Sequence, residues 1–92
     1  MPTPTDSSTG VSVTVRYFAA ARAAAGTDSE AVSVPRGAGV GALAEDLAGR
    51  SERLAAVLRR CSYLRDGVAV RDHEAPLQPG ETVDILPPFA GG

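Results

Sequence analysis

The sequence predicts an α+β domain, a mixed sheet of four to five strands packed on a helical segment. Three observations lead there. Residues 11–17, 29–34 and 81–86 carry apolar side chains at alternate positions, the period of a strand with one buried face. Residues 40–61 repeat instead at spacings of three and four, the period of helices with one buried stripe. Between two short apolar segments stands Asp66-Gly67, a strong two-residue hairpin signal.

Taken in order, residues 1–10 are rich in Pro, Ser and Thr and read as a disordered N-terminal extension. The extension lacks the basic start and apolar centre of a signal peptide. The folded domain is expected over 11–86. In its first strand Val11, Val13, Val15 and Tyr17 share the inward face. Phe18 then falls on the outward face with Arg16, either covered by a neighbouring loop or facing a partner. Ala19 to Ala25 is alanine-rich around Arg22 and closes at Gly26, which fits a short helical turn. Val32 and Val34 line one side of a second strand that ends at Pro35.

Val40, Leu43, Ala44 and Leu47 form one helical stripe, with Gly39 at the N-cap and Gly49 at the end. Ser51 caps a second stripe of Leu54, Val57, Leu58 and Cys61. Cys61 therefore reads as a buried, inert thiol. Residues 63–65 and 68–70 make the hairpin, and Leu77 plugs the core from a polar loop. His73 lies in that loop with no second histidine in the chain, so a solvated side chain is the expectation rather than a metal ligand. In the last strand Val83 and Ile85 point inward. Leu86 points outward, an apolar residue on a polar face like Phe18.

Composition excludes several functions. Ninety-two residues make one domain, and 43% apolar residues are enough for a real core. A net charge of −2, with no basic run and no aromatic platform, argues against nucleic-acid binding. No stretch approaches the ~18 apolar residues needed to cross a membrane. One cysteine cannot form an internal disulfide, which fits a reducing cytoplasm. All nine basic residues are arginine. The N-terminal amine is then the only amine through which copies could be chained together.

The last strand runs directly into Pro87-Pro88-Phe89-Ala90-Gly91-Gly92, the expected tail. Two prolines cannot donate ladder hydrogen bonds, so pairing stops at Leu86. They also favour an extended chain, and six residues at ~3.3–3.6 Å each reach roughly 20 Å. Gly91 and Gly92 lack Cβ and can enter a channel too narrow for other residues. A terminal carboxylate is ionised at neutral pH (pKa ~3.5) and is a poor electrophile until activated.

Strand, strand, helical middle, hairpin, strand and Gly-Gly tail is the element order of a β-grasp, or ubiquitin-like, fold. Residues 13–26, with Tyr17-Phe18-Ala19, Arg22 and Gly26, resemble the first strand and turn of the MoaD/ThiS family of sulfur carriers. Residues 76–83 and 86–92 resemble that family's closing segment, and the likeness covers 11–92. Pro-Pro before the last aromatic residue is most like the small subunit of molybdopterin synthase. The extension is a departure, and Asp66 stands where the family often has Asn before Gly.

The resemblance implies a non-catalytic carrier that binds no cofactor itself. A ubiquitin-activating-type adenylyltransferase would use ATP to adenylate Gly92, and a persulfide donor would supply the sulfur of a thiocarboxylate. The tail, Pro87 to Gly91, would then insert into the large subunit of molybdopterin synthase, with Phe18, Arg22 and Leu86 as docking residues. Three rival functions stay open: sulfur transfer toward thiamine, cysteine or a tRNA base, covalent modification of other proteins, and a plain interaction module.

Overall fold

The computed structural model describes residues 10–88. The expected disorder of the extension (residues 1–9) and the expectations for Phe89, Ala90, Gly91 and Gly92 lie outside the described residues. Eight elements follow one another: β1 (Gly10–Tyr17), α1 (Ala20–Ala25), β2 (Ser29–Pro35), α2 (Val40–Ala48), α3 (Glu52–Leu58), β3 (Ser62–Arg65), β4 (Val68–Ala69) and β5 (Thr82–Leu86). Gly10 already belongs to the first strand, where it pairs with Pro35.

The five strands form one mixed sheet in the order β2-β1-β5-β3-β4. β1 and β5, the first and last strands, run parallel at the centre with Val15 opposite Val83 and Tyr17 opposite Ile85. All the other pairings are antiparallel. The period-2 pattern held throughout: Val11, Val13, Val15, Tyr17, Val32, Val34, Val83 and Ile85 are all buried. They meet Val40, Leu43 and Leu47 of α2, Leu54 and Leu58 of α3, and Ala21 of α1. Leu77 fills the core from its loop, its amide donating to the Ala38 carbonyl at 2.9 Å.

Local signals act as expected at the ends of elements. Gly26 closes α1 in the left-handed region (φ 82°), its amide donating to the Arg22 carbonyl at 2.9 Å. The Ser51 hydroxyl caps α3 by accepting from the Leu54 amide at 3.0 Å. Asp66 and Gly67 both adopt positive φ, the backbone a tight hairpin turn needs. The Asp66 carboxylate also accepts from the Thr82 amide at 2.8 Å, which ties the turn to the start of β5. Cys61 is half-buried and donates to the Val57 carbonyl at 3.2 Å, and burial pushes its thiol pKa up. A thiol held protonated is a poor nucleophile.

Gly39 has a second role that its place at the N-cap does not reveal. It is buried, and a Cβ there would lie 2.4 Å from the His73 carbonyl oxygen and 2.8 Å from that of Ala75. Both obstacles are backbone, so the 73–75 loop would have to move. Gly39→Ala is expected to cost about 1–3 kcal/mol in a denaturant melt, the range for overpacking. Gly41→Ala is the control. Its Cβ would sit 3.4 Å from the same oxygen, and helix propensity favours Ala by up to ~1 kcal/mol. Equal losses at the two sites would refute the steric account.

Candidate functional site

The parallel pairing of β1 with β5 brings the two out-of-phase apolar residues together. The Phe18 amide donates to the Ile85 carbonyl at 3.2 Å, so Phe18 stands beside Leu86 at the end of both strands. With Arg16, Ala19, Arg22 and Asp28 they line one open depression of about 480 Å³. Phe18, Arg22 and Leu86, read from the sequence as docking residues, thus share one surface.

Neither Phe18 nor Leu86 is fully exposed, as alternation alone suggested; both are half-buried. One cause is Arg16, whose guanidinium lies 5.3 Å from the Phe18 ring centre in a cation–π contact. Among the described residues the exposed large hydrophobic side chain is Val68, at 69%. Arg22 is exposed and reaches across to Asp28 at 3.3 Å.

Arg16 also pairs with Asp84, directly opposite on β5. Its Nε lies 2.8 Å from Oδ1, and Nη2 donates to Oδ2 at 3.4 Å. Oδ1 is buried and accepts no hydrogen bond, since the close Nε contact lies off the bonding axis. The sequence reading missed this pair. Arg16 and Asp84 each sit two positions before the apolar residue of their own strand, and parallel register would have placed them opposite each other.

Ala19, at the rim, adopts φ 50° and ψ −125°, a conformation that favours glycine. Such strain in a non-glycine residue costs on the order of 1–3 kcal/mol and persists only where neighbours enforce it. Here Phe18 is held by the β5 ladder on one side, while the amides of Ala21 and Arg22 bond its carbonyl on the other. The chain must turn sharply between them.

Behind the depression Tyr17 turns inward and donates to Glu30 at 2.5 Å, and Arg50 donates to the same carboxylate oxygen at 2.8 Å. Burial raises the Tyr17 pKa, and its hydrogen bond to Glu30 raises it further. Burial alone would raise Glu30, but the bonds from Tyr17 and Arg50 outweigh it and leave the carboxyl below its usual range. Tyr63 is pushed up to about 12 mainly by burial.

The tail leaves the body at this end. Pairing stops at Leu86 as expected, yet Pro87 is buried and Pro88 exposed. Pro87, read from the sequence as the first residue of the extended tail, is therefore packed on the body. His73 stands elsewhere, edge-on to Tyr63 at 5.8 Å between ring centres.

A β-grasp domain whose central last strand ends beside an apolar and cationic surface defines a ubiquitin-like carrier or modifier. The sequence profile of the ThiS family matches residues 15–92, and the chain belongs to that family. A Pyrococcus furiosus protein named for molybdopterin converting factor, subunit 1, is 30% identical with a TM-score of 0.77. The match covers 86% of this chain and 99% of that one. SAMP1 from Haloferax volcanii is 26% identical with a TM-score of 0.74, over 88% and 99% of the two chains. A Helicobacter pylori complex of subunits 1 and 2 of molybdopterin-converting factor contains the same fold, with 21% identity and a TM-score of 0.66. That match covers 89% of this chain and all of its counterpart. Among the described residues no helix is long and apolar enough to cross a membrane.

The titrating groups give a two-sided expectation. Glu30 has a lowered pKa, so its contribution is present at neutral pH and is lost as acid protonates it. Tyr17 and Tyr63 have raised pKa values, so theirs is present below the unfolded value of ~10 and is lost as pH rises beyond it. Denaturant melts should show a plateau at neutral pH and a fall on both sides. Tyr17→Phe should flatten the alkaline limb, and an alkaline limb unchanged by it would refute the assignment.

Proposed function

We propose that the protein is a sulfur carrier for molybdopterin formation, acting as the small subunit of molybdopterin synthase through Gly92. The observation that carries the reading is the junction of β1 and β5. It sets Phe18, Arg22 and Leu86 beside the root of a Pro-Pro-Phe-Ala-Gly-Gly segment. A partner that binds this surface receives the tail at a fixed place and direction.

In this reading an adenylyltransferase partner joins the Gly92 carboxylate to the AMP part of ATP and releases pyrophosphate. The terminal sulfur of a persulfide donor then displaces AMP to give an acyl disulfide. A second thiol of the partner attacks the donor sulfur of its S–S bond, forming a disulfide there and releasing the thiocarboxylate. This chain supplies no catalytic group to these steps. Its contribution is positional: the surface docks, Pro87 and Pro88 direct the tail, and Gly91-Gly92 pass a narrow channel. A large subunit would receive the charged tail, as the assembly of the Helicobacter pylori neighbour with its second subunit suggests. A single half-buried cysteine suits a reducing cytoplasm.

The likeness to SAMP1 favours a second reading, a modifier joined through Gly92 to lysines of other proteins. Mass spectrometry of protein incubated with an adenylyltransferase, ATP and a persulfide donor separates the two. Oxygen-to-sulfur exchange at Gly92 supports the carrier, while Gly92 adducts on foreign lysines support the modifier. Neither product, with full activation of a known carrier in parallel, would refute both.

Two variants probe the parts. Gly91→Val should stop thiocarboxylate formation without moving the melting curve, and normal activation would refute the narrow-channel argument. Burying a Leu or Phe side chain is worth about 1.5–3 kcal/mol, so Phe18→Ala or Leu86→Ala should weaken partner binding roughly tenfold or more. Ile85→Ala, in the core, should instead cost ~2–5 kcal/mol of folding stability. Calorimetric titration with the large subunit checks the first claim and a denaturant melt the second. Unchanged affinity in folded Phe18→Ala would remove this surface from the interface.

A further inference from the structure

Among the described residues positive φ is held by Ala19, Gly26, Gly37, Asp66, Gly67 and Gly80. Four of these are glycine, the residue that enters the region without a steric cost. Asp66 is an exception with a visible reason, since its carboxylate accepts from the Thr82 amide at 2.8 Å. Ala19 is the other exception, and its side chain has no such task in the fold.

The turn at residue 19 is fixed from both sides, by β5 through the Phe18 amide and by the first turn of α1 through the Phe18 carbonyl. That explains the backbone but not the methyl group, because glycine makes the same turn without strain. The carbonyl that Ala19 offers to the Ala23 amide, at 3.2 Å, belongs to the backbone and survives the exchange. Residue 19 is the N-cap of α1, a position that favours glycine over alanine, so helix propensity does not require alanine either. The methyl is exposed and lies outside the hydrophobic core. Glycine loses more backbone freedom on folding, but that loss is smaller than the strain of φ 50° and ψ −125°.

We infer that the Ala19 methyl is a specificity-determining contact for the partner that docks at the junction of β1 and β5. It lines the same depression as Phe18, Arg22 and Leu86. A partner surface fitted to that depression buries the methyl, so this residue weakens the free domain and strengthens the complex. Glycine leaves a gap under the partner, and a longer side chain fills the space the partner must enter. That the partner is the large subunit rests on the carrier reading above; the strain does not.

The test measures stability and affinity on three full-length proteins, wild type, Ala19→Gly and Ala19→Leu. Thermal melts should place Ala19→Gly about 4–8 °C above wild type and Ala19→Leu close to wild type. Calorimetric titration with the large subunit should reverse the ranking of wild type and Ala19→Gly. Ala19→Gly should bind roughly fourfold more weakly, the loss for one buried methyl group. Ala19→Leu should bind roughly tenfold or more weakly through overpacking. The leucine variant keeps the turn stiff, so its loss of affinity separates a contact from a loosened backbone. Ala19→Gly that melts no higher than wild type would show that the methyl serves the fold, and would overturn the inference. So would wild-type affinity in either variant. A wild-type protein that binds no large subunit would overturn the carrier reading itself, and this contact with it.

Discussion

Parallel pairing between the two ends of the folded chain is the constraint on which the remaining structure depends. β1 and β5 are separated by the whole domain, yet they lie side by side at the centre of the sheet. Parallel neighbours cannot be joined by a tight turn. The intervening chain must therefore travel over one face, and α2 and α3 cover the buried side as it does so. The same pairing sets Arg16 against Asp84 and Phe18 beside Leu86, and so makes the surface at the root of the tail. Without that register the four residues are unrelated points on two strands.

That surface combines apolar groups with an ion pair in which one carboxylate oxygen is buried and lacks a hydrogen bond. Covering it would desolvate the exposed Arg16 guanidinium, which is unfavourable unless a partner supplies an acceptor. Oδ1 is already covered by the chain itself, so the group open to a partner is the Arg16 guanidinium. A carbonyl or carboxylate placed on it gains a charge-assisted bond, and a partner without one is penalised. The pair thus adds discrimination to a surface whose apolar members alone would accept many partners.

Much of the fold was legible because its residues obey short-range rules. Alternation located every long strand, helical spacing gave the stripes of α2 and α3, and Asp66-Gly67 and Ser51 acted by local geometry. What escaped depends on contacts between distant segments. Gly39 was read as a cap, but its lack of a side chain also admits the 73–75 backbone, over thirty positions away. Tyr17, Glu30 and Arg50 each look ordinary in sequence and become a network only when β1, β2 and the turn after α2 converge. Pro87 shows the limit from the other side. Proline chemistry correctly ended the strand, but burial depends on packing at the end of the sheet, which backbone propensity does not encode. Of the residues at the junction of β1 and β5, Phe18 and Leu86 were found by being out of phase. Arg16 and Asp84 were in phase and so carried no signal.

The place of β5 between two neighbours has a mechanical consequence. A partner that draws the tail into a channel pulls along the axis of β5, whose ladder bonds to β1 and β3 run across the strand. Force in that direction loads the bonds on both sides together, in shear, rather than opening them one after another. A two-residue edge strand such as β4 would peel away under the same pull. Under the function proposed above, the domain would act as a rigid handle that passes tension from Pro87 into its core.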